Sequence, residues 1–348
     1  MAELKDFINS KEITLYLKEL PKEDTIDQAL FPTKKQMSTN IEFAKGSKKK
    51  AVVLRMSTFD VAAKVRALSA ELSVFKKEMP FFKEAIGINE TIRRELINAI
   101  GANNQNLVDA LTEQVFENYA VLNEGARIAM KRMRTQLIQN GEINIASTDG
   151  DVVVDYGVPE NHQITISTGK WNTAGADIVG DIKKYQKLMV KENYPKPNIM
   201  LMTETTFDST FMINTAIKGA ILSGYTNNFP ILGQQDYLDY IKRVCGVTIV
   251  FLEDSVYYTE EGGEAIEYYE DKKITFMSGA TLGNTVYGVT PEEYDKIYGS
   301  GKLDTSIVDN VAVTTMVKED PVSVDVKVSM IGIPSFERAD EVLFITAY

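Results

Sequence analysis

One cysteine, Cys245, and one histidine, His162, are all that this chain of 348 residues holds of the side chains most used in soft-metal and nucleophile chemistry. A lone cysteine excludes an intrachain disulfide framework and a thiolate metal cluster. A lone histidine, with no Gly-x-Ser-x-Gly elbow to serve, excludes a nucleophilic triad of the usual kind. In YIKRVCGVTIV, Cys245 reads as a small buried apolar residue, and in PENHQITI, His162 reads as an exposed turn residue. A phosphate loop is missing too: Gly299-Ser300-Gly301-Lys302 matches only its end, and Lys296 stands where the leading glycine belongs. Asp149, Asp151 and Asp155 read as turn formers around a short strand. These absences predict no catalytic residues, no cofactor and no metal.

Long uncharged apolar runs are lacking as well, which argues against a membrane helix. The opening MAELKDFINSKEITLYL has neither the basic start nor the apolar core of a secretory signal, so the product is expected in the cytoplasm. Positive charge is in deficit: 38 Lys+Arg face 49 Asp+Glu, a net charge of -11. That balance argues against a protein that coats nucleic acid, because such a protein neutralises phosphates with cations.

What is present begins with one stretch, Asn104 to Asn140. Leu107, Leu111, Val115, Tyr119, Leu122, Ala126, Ala129, Met133 and Leu137 recur at steps of three or four and fall on one helical face. Glu113, Glu117, Glu124, Arg127, Lys131, Arg132 and Arg134 occupy the opposite face, acids early and bases late, as the helix macrodipole favours. Asn140-Gly141 supplies a left-handed stop. Such a helix is roughly 50 Å long, more than a compact domain needs, and reads as a strut across an elongated subunit.

Around it the chain changes character several times. Residues 1 to about 30 read as an extended arm with a little helix, punctuated by Pro21 and Pro32. From Met37 to Phe59, Ile41 and Phe43 alternate with polar residues, and Val52, Leu54 and Met56 do the same after a Gly-Ser-Lys tip, which predicts a projecting β-hairpin. Its Lys48, Lys49 and Lys50 would either grip an acidic partner surface or keep a protruding edge soluble. Residues 60–80 and 89–102 read as two shorter helices. INIAS, DVVVDYGVP and HQITIST are short strands, residues 171–299 alternate helix and strand as an α/β domain, and the segment from Ser306 is strand again, with Val322, Val324, Val326 and Val328 in strict alternation.

That order of parts resembles the major capsid protein of tailed phages, whose fold is named after phage Hong Kong 97. Within it, FEN..AVLNEGARIAMKRMRTQLIQNGEINI, DVVVDYGVPENHQIT, TGKWNTAGADIVGDIKKYQKLM, PNIMLMTETTFDSTFMINTAIK, MSGATLGNTVYGVTPE and the ending PSFERADEVLFITAY are similar to the lambda-type branch, the phage major capsid protein E family. The likeness is good from residue 100 to 348, positional at 37–59, and slight over the first 30 residues. The resemblance implies an α+β fold: N-terminal arm (1–32), extended loop (33–62), peripheral domain (63–170) with spine helix and β-sheet, α/β axial domain (171–305), and strands returning to the peripheral/axial sheet (306–348).

Functionally the resemblance implies homo-hexamers and pentamers forming an icosahedral shell around double-stranded DNA, without sequence-specific binding and without a membrane. The extended loop would reach over one neighbour and the arm be held by another, with Ile41, Phe43, Lys48, Lys49, Lys50, Val52 and Leu54 as candidate subunit contacts. With no built-in scaffolding segment before the arm, a separate scaffolding protein and a portal are implied partners, and a decoration protein is a further candidate. Assembly is expected to be noncovalent, in the bacterial host cytoplasm, ending in the virion capsid. Two alternatives stand beside this reading: another structural virion protein of tail or decoration type, and an α/β ligand-binding protein or hydrolase.

Overall fold

The computed structural model describes residues 9–21, 24–45, 73–88, 90–102, 104–145, 151–223, 232–260, 262–279, 281–300, 303–319 and 322–348. The long helix forms over Gln105–Asn140, 36 residues, and is about 54 Å long at the usual rise. Asn104 caps it, its side-chain oxygen accepting from the Leu107 N–H, and Gly141 ends it at φ 72°, donating its N–H to Leu137 O. A Cβ on Gly141 would lie 2.5 Å from Val158 Cγ2 and 3.0 Å from Phe344 Cε2. Backbone and space therefore both require glycine at this stop.

Burial changes along the helix. Val108, Val115, Tyr119 and Leu122 bury one stripe of its first half, whereas from Met133 to Gln139 every residue except Gln136 is buried. Two sheets account for the change. The first has six strands, in the order Thr33–Lys35, Thr285–Tyr287, Val322–Pro334, Val311–Glu319 and Asp304–Val308, with Phe81–Ile88 also paired to Val322–Pro334. The predicted alternation in the long strand holds: Val324, Val326 and Val328 join Val115, Tyr119 and Met130 in one core. Lys327 and Ser329 point the other way. There the Ser329 hydroxyl donates to Glu292 Oε2 at 2.8 Å and Lys327 pairs with the same carboxylate. Burial alone would raise the Glu292 carboxyl, but the hydrogen bonds from Lys327, its own backbone and Ser329 prevail and hold it below the usual range.

The second sheet has five strands, in the order Gln163–Thr165, Val342–Thr346, Lys273–Met277, Ile199–Met202 and Thr248–Phe251. Its two outer pairings are parallel and its two inner ones antiparallel. Met200, Met202, Ile274, Phe276, Leu343 and Ile345 face a core made with the helices Ile178–Lys191, Thr215–Leu222 and Gln234–Cys245. Leu201, Met277, Val342 and Phe344, one residue out of phase, belong to the core of the long helix. A sheet covered on both faces needs apolar residues at every position, which is why VLFIT shows no polar alternation. The Thr275 hydroxyl, on the long-helix face, donates to Ile138 O. The strands from residue 304 onward thus divide: three join the first sheet and Val342–Thr346 enters the α/β sheet.

One expectation about local structure is corrected. Residues 60–80 were expected to be helical; 60–72 lie outside the described residues, and Ser73–Glu78 is a strand, followed after Pro80 by the strand Phe81–Ile88. Pro80 blocks a continuous helix, and two partners reward extension: Asn40–Lys45 for the first strand and Val322–Pro334 for the second.

Candidate interaction surfaces

The strand that carries Ile41 and Phe43 does form, over Asn40–Lys45, but its antiparallel partner is Ser73–Glu78, with Ile41 opposite Lys77 and Phe43 opposite Phe75. The sequence had assigned Val52, Leu54 and Met56 as that partner. The alternation in 52–56 is real, but Phe75 offers a cross-strand aromatic pair, its ring centroid 5.0 Å from Phe43 and 5.0 Å from Tyr156. Lys48, Lys49, Lys50, Val52 and Leu54 lie outside the described residues. They belong to the segment between Lys45 and Ser73, which this paired root holds at both ends. Ile41 is buried in the chain's own core and Phe43 is half-buried in the stack.

Tyr156, from the Val-Asp-Tyr-Gly strand, anchors that root to the body. Its hydroxyl donates to Pro334 O at 2.5 Å, and burial pushes its pKa well above the ordinary value. Its ring meets Phe336 edge-on at 6.1 Å, and Lys77 donates to Val153 O at 3.1 Å. Other quoted motifs are likewise packing devices. Trp171 is fully buried, with its indole N–H donating to Asp181 Oδ2 at 3.0 Å. Gly283, in MSGATLGNTVYG, passes so close to the Ser335 carbonyl that a Cβ would stand 1.9 Å from its oxygen.

The arm, expected to be held by a neighbour, is held by its own chain over its described part. Ser10 Oγ donates to Asp304 Oδ1 at 2.7 Å, Phe31 is buried, and Thr285 donates its N–H to Pro32 O and its hydroxyl to Phe31 O. Deeper still, Asp27 Oδ2 accepts from Arg134 Nε at 2.6 Å, with side-chain exposures of 1% and 6%. The other Asp27 oxygen is buried without a hydrogen-bond partner. The charged face opposite the apolar stripe is the one expected to meet solvent, yet Arg134 lies inside. Lys131 and Arg132 also depart from that expectation: Lys131 donates to Glu253 at 3.2 Å and lies over Tyr268, and Arg132 lies over Tyr257. Helical spacing places these bases away from the apolar stripe, but a second set of elements covers them there.

His162 is corrected in the same sense. It is fully buried, its Nε2 2.9 Å from Glu192 Oε2 and its ring edge-on to Tyr194. A short 3-10 turn, Glu160–His162, carries it inward. Cys245 is buried as read, with burial raising its thiol pKa. Among the described residues no group of three or more His, Cys, Asp or Glu side chains is placed to hold a metal, and no helix is long and apolar enough to cross a membrane.

One further surface stands off the body: the two-stranded ribbon Val256–Tyr257 and Ile266–Glu267. Tyr257 and Tyr268 root it against the long helix, while every described residue from Tyr258 to Glu267 is exposed.

Comparison with known proteins places this architecture. The phage major capsid protein E family matches residues 9–347. A candidate capsid protein of a prophage of E. coli CFT073 is similar in fold, with TM-score 0.61 and 11% identity over 98% of this chain and 99% of that one. A phage-related protein from Bordetella bronchiseptica RB50 is similar with TM-score 0.50 and 9% identity over 98% and 97% of the two chains. At such identities the likeness is one of fold. No curated protein matches the sequence.

Proposed function

Because the chain belongs to the phage major capsid protein E family, we propose that this capsid shell protein works as a stiff plate that closes a shell through many modest contacts. The observation that carries the reading is the long helix itself. Its first half lies on the six-stranded sheet and its end is enclosed between that sheet and one face of the five-stranded one, so one element spans both sheets. A subunit that must present fixed angles to several neighbours needs such a joint.

Copies associate noncovalently into hexamers and pentamers of an icosahedral shell that encloses double-stranded DNA without reading its sequence. A separate scaffolding protein and a portal act as partners during assembly in the host cytoplasm, and the role is structural rather than catalytic. The segment between Lys45 and Ser73, with Lys48, Lys49, Lys50, Val52 and Leu54, reaches a neighbouring copy from its paired root. A weak contact repeated at every copy becomes strong in the closed assembly.

Negative-stain microscopy and sedimentation of the purified chain, alone and with its scaffolding protein, test this. Ring-shaped capsomers or shells are expected. A monodisperse monomer or dimer under every condition would overturn the reading. Replacing residues 46–72 by a short Gly-Ser turn is expected to abolish shells while leaving the fold intact, and normal shells from that variant would remove the loop from the contact set.

A further inference from the structure

The strand Gln163–Thr165 sits at an edge of the five-stranded sheet and pairs on one side, with Val342–Thr346. A cleft of about 560 Å³ opens beside it, between residues 164–168 and the helix Ile178–Lys191. Ile164, Ile166 and Leu188 give it apolar walls, and Lys184, Lys187 and Lys191 line it from the helix. Spaced by three and four residues, these lysines form one row. Asp181, the acid in the lining, is engaged by the Trp171 indole.

The ribbon at Val256–Glu267 carries the opposite character. Val256 and Tyr258 are 48% and 58% exposed, Ile266 is also exposed, and Glu260, Glu264 and Glu267 stand around its turn. We propose that the lysine-lined cleft receives the acidic ribbon of a second copy of this chain, glutamates on the lysine row and apolar side chains on the cleft walls. The inference rests on the reading of the chain as a self-assembling shell subunit.

Three physical points support it. With a net charge of -11, copies repel at a distance, so a contact between them needs a local patch of opposite sign. An open strand edge beside an apolar wall suits an extended protein segment, which can add to the sheet by backbone hydrogen bonds. Cleft and ribbon are different surfaces of one chain, so the contact is head-to-tail and can propagate around a ring. A nucleic acid would use the lysine row but neither the apolar walls nor the strand edge.

A charge exchange tests the proposal in the full chain. Lys187→Glu with Lys191→Glu, and separately Glu260→Lys with Glu264→Lys, are each expected to raise the concentration needed for capsomer assembly about tenfold, equivalent to roughly 1.4 kcal/mol. Combining all four substitutions is expected to restore assembly to near the unsubstituted level. All four side chains are exposed, so thermal melting of the unassembled variants should match the parent. As a second measurement, a chain with Lys187→Cys mixed with a chain with Ala265→Cys should form a disulfide-linked dimer under mild oxidation, and neither should do so alone; the native Cys245 is buried.

A combined variant no better than its parts, with no cross-link in the mixture, overturns the proposal. If the parent chain still forms capsomers in that case, the shell-subunit reading stands. A parent chain that never assembles overturns both. Loss of binding to a short DNA duplex in the lysine variant, with assembly unchanged, would assign the row to nucleic acid instead and also overturn the proposal.

Discussion

The two ends of the long helix obey different rules. From Gln105 to Val121 a single stripe is buried and the rest meets solvent, with Val121 itself 71% exposed. From Met133 to Gln139 the helix is enclosed, and it carries a buried arginine, a buried glutamine and a hydroxyl-bonded carbonyl. The first end is held by ordinary amphipathic packing on one sheet. The second ties the arm and the five-stranded sheet to the helix, through Arg134 to Asp27, Gln139 to Glu270, and Lys273 to Asn140. One helix is thus a surface element at its start and a core element at its finish, and substitutions at the two ends should differ accordingly.

The largest contrast is expected at the arm contact. Asp27→Ala leaves Arg134 charged and buried without its partner, and should cost about 3–5 kcal/mol in the unfolding free energy of the unassembled chain. Replacing both residues, Asp27→Leu with Arg134→Met, should recover most of that loss, since the pair's desolvation is then also removed. A denaturant-monitored double-mutant cycle measures both, and a cost below about 1 kcal/mol for Asp27→Ala would deny the enclosed end its special status. Next in size is Gly141→Ala. It combines a positive φ with a Cβ at 2.5 Å from Val158, and a loss of about 2–3 kcal/mol is expected from strain and overpacking together.

Period and caps made the extent of the helix readable. The spacing of Val115, Tyr119 and Leu122, Asn104 at the start and Gly141 at the stop locate the helix almost to the residue, because these signals are local. The enclosed end was misread for a reason equally physical: periodicity reports where apolar residues are, and a buried cation paired across 107 residues leaves no trace in it. The same limit explains the strand Ser73–Glu78. Its identity rests on Phe75 finding Phe43 and Tyr156, contacts that no window around residue 75 contains. The motifs Val-Asp-Tyr-Gly and Gly-x-x-x-Tyr-Gly were visible as text. Their cause, the hydroxyl of Tyr156 on Pro334 and the approach of Gly283 to Ser335, needed the fold. In sequence, the lysine row at 184, 187 and 191 is just the polar side of an amphipathic helix, and only the open strand edge beside it makes it a candidate contact.

At the solvent-facing end the expected effects shrink. Asn104→Ala removes the side-chain oxygen that accepts from Leu107, a loss of about 1 kcal/mol by the usual worth of a cap. Val121→Lys should move stability by no more than about 0.5 kcal/mol, because it puts a good helix former on an exposed position and removes no buried contact. The denaturation midpoint of the unassembled chain checks it. A loss of several kcal/mol at Val121 would mean that the helix is covered on a second side along its whole length, and the distinction between its ends would then be one of degree only.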